Sequence, residues 1–303
     1  MIFPSAVRKN RLAIATLTIT FTIASGTVLF TDPAFGQPPP PMYPPPPAYP
    51  PGQLEQLVSR IALYPDPLLA QVLAAATFPD QIPDAARWAD QHHYLTGDAL
   101  AGAISGDRLP WDPSVQALLP FPSVLDMMAS DMNWTQQIGN AFLAQQADVM
   151  DAVQRERQKA RNFGYLRSSA QITVSSGPYI EILPVNPAFI IVPAYDPLVV
   201  FAAPRPGFFV GGAINFGFGI TIGAAFRPWG WGLNRVVWNT RTVIVNDAPW
   251  RRTWVNRPTY VHPYTVPRYQ APQRVEPHEL HERSPREREA ERGGRARQEE
   301  HRR

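Results

Sequence analysis

Three kinds of side-chain grouping in this chain could do chemistry. The first is paired carboxylates: Asp80 with Asp84, Asp107 with Asp112, and Asp148 with Asp151. General acid–base catalysis needs two carboxyls converging in a cleft with separated proton affinities. Plainer roles compete. Asp66, Asp80 and Asp112 stand where helices should begin, and Asp151 lies four residues before Arg155, the spacing of a helical ion pair. The second grouping is histidine. His92 and His93 are adjacent, so they project to different faces and a shared metal would need outside ligands. A surface or capping role fits better. His278 and His281, with Glu279 and Glu282, could hold a divalent metal only adventitiously in a charged tail. The third is an alternation of planar rings and guanidinium groups: Arg227, Trp229, Trp231, Arg235, Trp238, Arg241, Trp250, Arg251, Arg252 and Trp254. Arginine forks onto phosphate or carboxylate, and tryptophan settles at lipid interfaces or on sugar rings.

Many reactions are excluded by what the chain lacks. It has no Cys, so disulfides, thiol nucleophiles and Cys-ligated metals are impossible. There is no Gly-x-Ser-x-Gly, His-Glu-x-x-His, Walker loop or dinucleotide fingerprint. No cofactor is expected, and catalysis is the less favoured reading.

The elements that must position these groups differ sharply in charge. Residues 53–204 carry 8 Lys/Arg against 15 Asp/Glu, whereas residues 205–268 carry 8 Arg and the single acid Asp247. An acidic module therefore precedes a basic one. Upstream, a basic flank (Arg8, Lys9, Arg11), an uncharged run from Leu12 to Phe30, Pro33 and the small residues Ala34 and Gly36 make residues 1–36 a secretory signal peptide or a retained signal anchor. Residues 37–52 are a Pro-rich linker, with 10 prolines between Gln37 and Pro51, and favour a polyproline II spacer about 45 Å long. Residues 53–203 should form a helical domain with short strands, able to fold alone. Residues 204–268 form a Gly/Trp/Arg-rich extension, in which the uncharged run 208–226 raises the alternative of an integral membrane segment. Residues 269–303, a mixture of Arg and Glu, should be disordered.

The fold class expected is α+β: a bundle of mostly short helices plus one long helix, followed by a small β appendage. Asp66-Pro67 and Asp112-Pro113 supply cap-plus-proline starts, and Asn133 with Gln136 resembles a capping box opening the longest helix, to about Phe163. Gly164 suits the left-handed residue after it. Trp88, Trp111 and Trp134 should anchor the core. Gln171–Ser175, Tyr179–Leu183, Phe189–Val192 and Leu198–Phe201 read as strands, Asn234–Asp247 as a hairpin, and the chain beyond Pro249 as non-globular.

The phrases "LEQLVSRIALYPDPLLAQVLAAATFPDQIPDAARWADQ", "WDPSVQALLPFPSVLDMMASDMNWTQQIGNAFLAQQADVMDAVQRERQKA" and "IIVPAYDPLVVF" closely resemble the bacterial family called domain of unknown function 3300, from about Leu54 to Phe201. The resemblance implies an exported envelope protein and no activity, and it supplies no catalytic residues. The resulting expectation is a structural or interaction module of the periplasm or cell envelope. Its basic aromatic segment would contact anionic lipid, cell-wall polymer or an envelope protein; export makes nucleic acid an unsuitable partner. The competing class is an envelope-polymer hydrolase using acids of the helical domain.

Overall fold

Proline punctuation starts most of the helices. The computed structural model describes residues 45–204, 212–217 and 219–261. The signal segment, the first part of the Pro-rich linker, part of the 208–226 run, and the tail with His278 and His281 lie outside the described residues. Pro51, Pro67, Pro113 and Pro122 each occupy a first-turn position, where the missing N–H costs nothing. The helices they open are α1 (Pro51–Val58), α2 (Asp66–Ala75), α5 (Pro113–Gln116) and α6 (Pro122–Ser130); α3 (Ile82–Gln91), α4 (Gly97–Gly106), α7 (Met132–Ala144) and α8 (Gln146–Asn162) complete the bundle. Helix α2 is apolar almost all round and buried along its length, which makes it the central rod. Around it, α1 lies along α8, and α3 packs on α6. Helix α7 passes so close to the end of α2 that a Cβ at Gly139 would sit 2.0 Å from the carbonyl oxygen of Ala76, so only glycine fits.

The expected single long helix is two. Gln145 leaves helical geometry (φ −140°, ψ 47°), and its side-chain amide bonds Tyr49 at both backbone groups, accepting from the N–H at 2.7 Å and donating to the C=O at 3.3 Å. The break thus docks the end of the Pro-rich segment onto the α7–α8 corner. The helix start is capped by Asp131, whose carboxylate accepts from the Trp134 N–H at 3.0 Å, rather than by Asn133. Asp66 caps nothing, while Asp112 and Asp196 do cap, each accepting from an N–H two residues on. Asp196-Pro197 therefore opens a short helix α9 (Pro197–Val200) where a strand was expected. Gly164 holds the left-handed conformation at φ 81°.

The strands form small antiparallel units. β1 (Ile172–Val174) pairs with β2 (Ile182–Pro184), β3 (Phe189–Ile190) with β6 (Ile220–Thr221), and β4 (Pro193–Tyr195) with β5 (Ile214–Phe216). The expected hairpin is present as β7 (Arg235–Val237) and β8 (Thr242–Val245), extended by β9 (Ala248–Pro249). Beyond it the chain stays packed to Val261, which corrects the non-globular reading: the Trp254 N–H reaches the Leu143 carbonyl at 2.8 Å, and the Tyr260 ring stands edge-on to Phe78. Packing shows no break at 203/204. Phe226, Trp229, Trp231, Trp238 and Val243 belong to the same apolar core as Leu69, Val72 and Phe142. A smaller core beneath the strands joins Leu63, Ala160 and Leu166 to Ile172, Ile182, Val200 and Ile214.

Candidate functional site

A fully buried charged joint sits where the acidic and basic parts meet. Val149, Val153 and Arg157 follow one another at four-residue spacing on α8, so the guanidinium enters the core on an apolar stripe and is fully buried. Arg157 donates to Asp66 Oδ1 at 2.6 Å and to the carbonyls of Ala62, Tyr64 and Ile180 at 2.8–2.9 Å. The other Asp66 oxygen accepts from the indole N–H of Trp238 at 2.7 Å, and that ring lies 4.8 Å from the guanidinium. Burial raises the Asp66 carboxyl above its ordinary value, with the Arg157 charge and the hydrogen bonds from Trp238, Arg157 and the Ile182 N–H opposing it only in part. With acceptor and donor so fully engaged, this is a sealed joint between helix and extension. It has no open valence for a substrate.

Several other acids are held by rings or cations of the fold. Asp107 accepts from the Trp88 indole at 2.7 Å; Asp112 caps α5 and pairs with Arg252 at 2.9 Å; Asp151 pairs with Arg241 at 2.6 Å. Asp151 does not hold Arg155, which turns instead to Glu55 together with Lys159. Burial alone would raise Glu55, yet those two cations outweigh it and hold the carboxyl below its usual range. Asp84 is buried and paired with Arg87, its second oxygen having no hydrogen-bond partner among the described residues, Asp80 is exposed beside it, and Asp148 accepts from Gln145. None of the three pairs lines the cleft of about 380 Å³ beside His92 and His93.

The ring-and-guanidinium set does not form one outward face. Trp231 and Trp238 are 2% and 3% exposed and Trp229 only 8%, so these rings cannot reach a surface without leaving the core. Their indoles donate into the bundle, Trp229 to the Gln116 side chain and Trp231 to the Ala117 carbonyl, both at 2.9 Å. Trp250 lies against Phe142, and the Arg257 guanidinium covers Trp254. Arg252, a third exposed, stands beside Phe78, Trp250 and Tyr260 at 4.8–5.0 Å. Arg241 is held by Asp151 and Arg235 by Asp247. Arg227 and Arg251 are exposed, with no ion pair to another described residue. Of the expected contact set, Arg227, Arg251 and, beside its exposed partner Asp247, Arg235 are at the surface, while Trp250 and Trp254 are half-buried.

An open cleft lies elsewhere. A cleft of about 380 Å³ lies between the end of α3, the start of α4 and β6, floored by Leu100, Leu119 and Phe226. His92 and His93 stand at it with Thr221. His92 stacks on Trp88 with ring centres 3.9 Å apart, and its Nδ1 meets the Trp88 carbonyl, closing the end of α3. Sequence reasoning weighed these histidines as capping groups, which they are, but had no signal for the cleft, because β6 arrives from more than 120 positions downstream. The buried joint did leave a signal, namely Arg157 on an apolar stripe. Among the described residues, no group of three His, Asp or Glu is placed to hold a metal ion, and no helix is long and apolar enough to cross a membrane.

No solved structure matches the chain. A curated relative, the uncharacterized protein YacH of Escherichia coli (strain K12), is 36% identical over 182 residues, covering 49% of this chain and 29% of that protein. The chain thus spans under a third of the relative's length. The family model described as "Protein of unknown function (DUF3300)" matches residues 50–257, from the docked Pro-rich end through Trp254, and so takes in both the helical part and the extension. The chain belongs to this family, the DUF3300 proteins.

Proposed function

We propose that this protein is an exported, non-catalytic interaction module of the bacterial cell envelope. The observation that carries the non-catalytic part is the engagement of the carboxylates: Asp66, Asp107, Asp112 and Asp151 are each bound to a ring or cation of the fold, and no carboxylate lines the cleft among the described residues. The basic flank, apolar run and Ala34-x-Gly36 support export. Contact with an anionic lipid or cell-wall polymer falls to the exposed Arg227, Arg251 and Arg235, with the tryptophans serving as the framework that holds them.

Two measurements test this reading. Fractionation with N-terminal sequencing of the cellular protein should find it in the envelope fraction, beginning at Gln37 or retaining residues 12–30; recovery in the cytosol overturns export. Cosedimentation with anionic vesicles and with purified cell-wall material should show binding that weakens with salt, since charge attraction is screened, and that falls in the triple variant Arg227→Ser/Arg235→Ser/Arg251→Ser. Binding indifferent to salt and to those substitutions removes the anionic-surface contact.

A further inference from the structure

We infer that the cleft between α3, α4 and β6 is a binding site for a small neutral amphiphile, a molecule with an apolar body and a head that donates hydroxyl hydrogen bonds. Its volume of about 380 Å³ lies within the range of ligand pockets, about 300–1,000 Å³. Leu100, Leu119 and Phe226 offer an apolar floor. No Asp, Glu, Lys or Arg lines the cleft among the described residues, so a charged ligand would lose its hydration there without an ionic partner.

The head group follows from which ring nitrogens are already committed. His92 Nδ1 lies 2.8 Å from the Trp88 carbonyl, and His93 Nδ1 meets the carbonyl of Asp90. A carbonyl only accepts, so each Nδ1 carries the proton. A neutral imidazole that donates at Nδ1 keeps a lone pair at Nε2. Both rings line the cleft, and in its neutral form each has an Nε2 acceptor uncommitted to the backbone; stacking on Trp88 at 3.9 Å and 18° fixes the His92 plane beforehand. The exposed Thr221 hydroxyl adds a group that can donate or accept. At the two histidines a carboxylate head, which only accepts, would meet acceptors, whereas a hydroxyl-bearing head can donate to them. This inference does not depend on the compartment or on the anionic contact proposed above.

The test uses the full chain at pH 8.5, where free imidazole is neutral, with ring-labelled histidine followed by NMR. The probes are monomeric octyl glucoside and sodium octanoate, which share a tail and differ in the head. Octyl glucoside should shift the His92 and His93 signals and bind about tenfold or more tighter than octanoate, the factor expected for one satisfied against one stranded acceptor. His92→Phe/His93→Phe keeps planar rings but removes both acceptors, and should weaken octyl glucoside by a similar factor. Thr221→Trp, a change at an exposed position that plugs the mouth, should abolish binding and keeps the test decisive if the double variant fails to fold. Octyl glucoside that leaves both signals unmoved, octanoate binding as tightly, or unchanged affinity in either folded variant would overturn the inference.

Discussion

Trp88 in the helical part donates its indole N–H to Asp107, nineteen residues away, whereas Trp238 in the extension donates to Asp66, 172 residues back. Trp229 and Trp231 likewise reach back 113 and 114 residues. Both groups end in one core, and three carboxylates of the acidic stretch, Asp66, Asp112 and Asp151, are met by groups of the basic one. The acidic stretch supplies acceptors and the later stretch supplies the rings and guanidinium groups that fill them. Arg241 on Asp151 and Arg252 on Asp112 repeat the pattern nearer the surface. Segregation of charge along a sequence is thus compatible with two separate modules or with two halves of one interior, and in this chain it marks an interior.

The comparison breaks most completely if the extension is removed. A chain ending at residue 203 would strip Phe226, Trp229, Trp231, Trp238 and Val243 from the core. Each large ring lost costs about 3–5 kcal/mol, against a total stability of about 5–15 kcal/mol for a domain. Residues 45–203 should therefore show no cooperative urea transition and should bind a hydrophobic dye, while residues 45–261 unfold in one step. A cooperative transition in the shorter chain, at a similar midpoint, would restore the helical part as a self-sufficient module.

A narrower cut goes through the buried joint. Asp66→Ala leaves Arg157 without its counter-ion and the Trp238 indole without an acceptor, both in a dry interior. Breaking a buried pair from one side costs about 3–5 kcal/mol. Asp66→Leu/Arg157→Met should cost clearly less than the sum of its two single changes, because neither charge is then stranded. Denaturant titration of the three variants gives the coupling directly, and additive losses would mean the two residues act independently.

What could be read beforehand follows the same division. Helices with proline starts and the core positions of Trp88, Trp111 and Trp134 follow local rules, so three- and four-residue spacing revealed them. The β7–β8 hairpin was legible because its two strands are nearly contiguous. The break at Gln145 was not, since the backbone its side chain turns to, at Tyr49, lies 96 residues earlier. Nor was the true role of Asp66: Asp before Pro predicts a cap, and only the arrival of Arg157 and Trp238 turns the carboxylate inward. The cleft beside His92 has walls from distant parts of the chain and no residue pattern of its own.

Alkaline titration sharpens the picture at the edge of the joint. Tyr64 is buried, its carbonyl accepts from Arg157, and its hydroxyl meets only the Met127 sulfur at 3.8 Å. Burial pushes its hydroxyl from the ordinary 10.0 up to about 12. The folded value exceeds the unfolded one, so the stability it contributes is fully present below pH 10 and is lost as pH rises toward 12, about 2–3 kcal/mol in all. Tyr64→Phe should unfold at nearly the wild-type urea midpoint at pH 7 and show a shallower decline between pH 10 and 12. An unchanged decline would mean that the hydroxyl is solvated in the folded protein.

The smallest effect separates the two outer clasps. Arg241 and Asp151 are both more than a third exposed, where water screens the pair and ordering long side chains offsets the attraction. Arg252 has the same kind of partner but a drier setting: Asp112 is 14% exposed, and three aromatic rings stand within 5.0 Å of the guanidinium. Cation–π contact gains strength as the cation is desolvated, so Arg252→Ala should cost about 1–2 kcal/mol. It should also loosen the segment from Trp250 to Tyr260, read as faster amide exchange at Trp254. Arg241→Ala should shift the urea midpoint less, with a difference from wild type that fades in high salt. If the two variants lose equal stability, or Arg252→Ala leaves Trp254 exchange unchanged, the rings around Arg252 are spectators and surface ion pairing alone holds the end of the extension against the bundle.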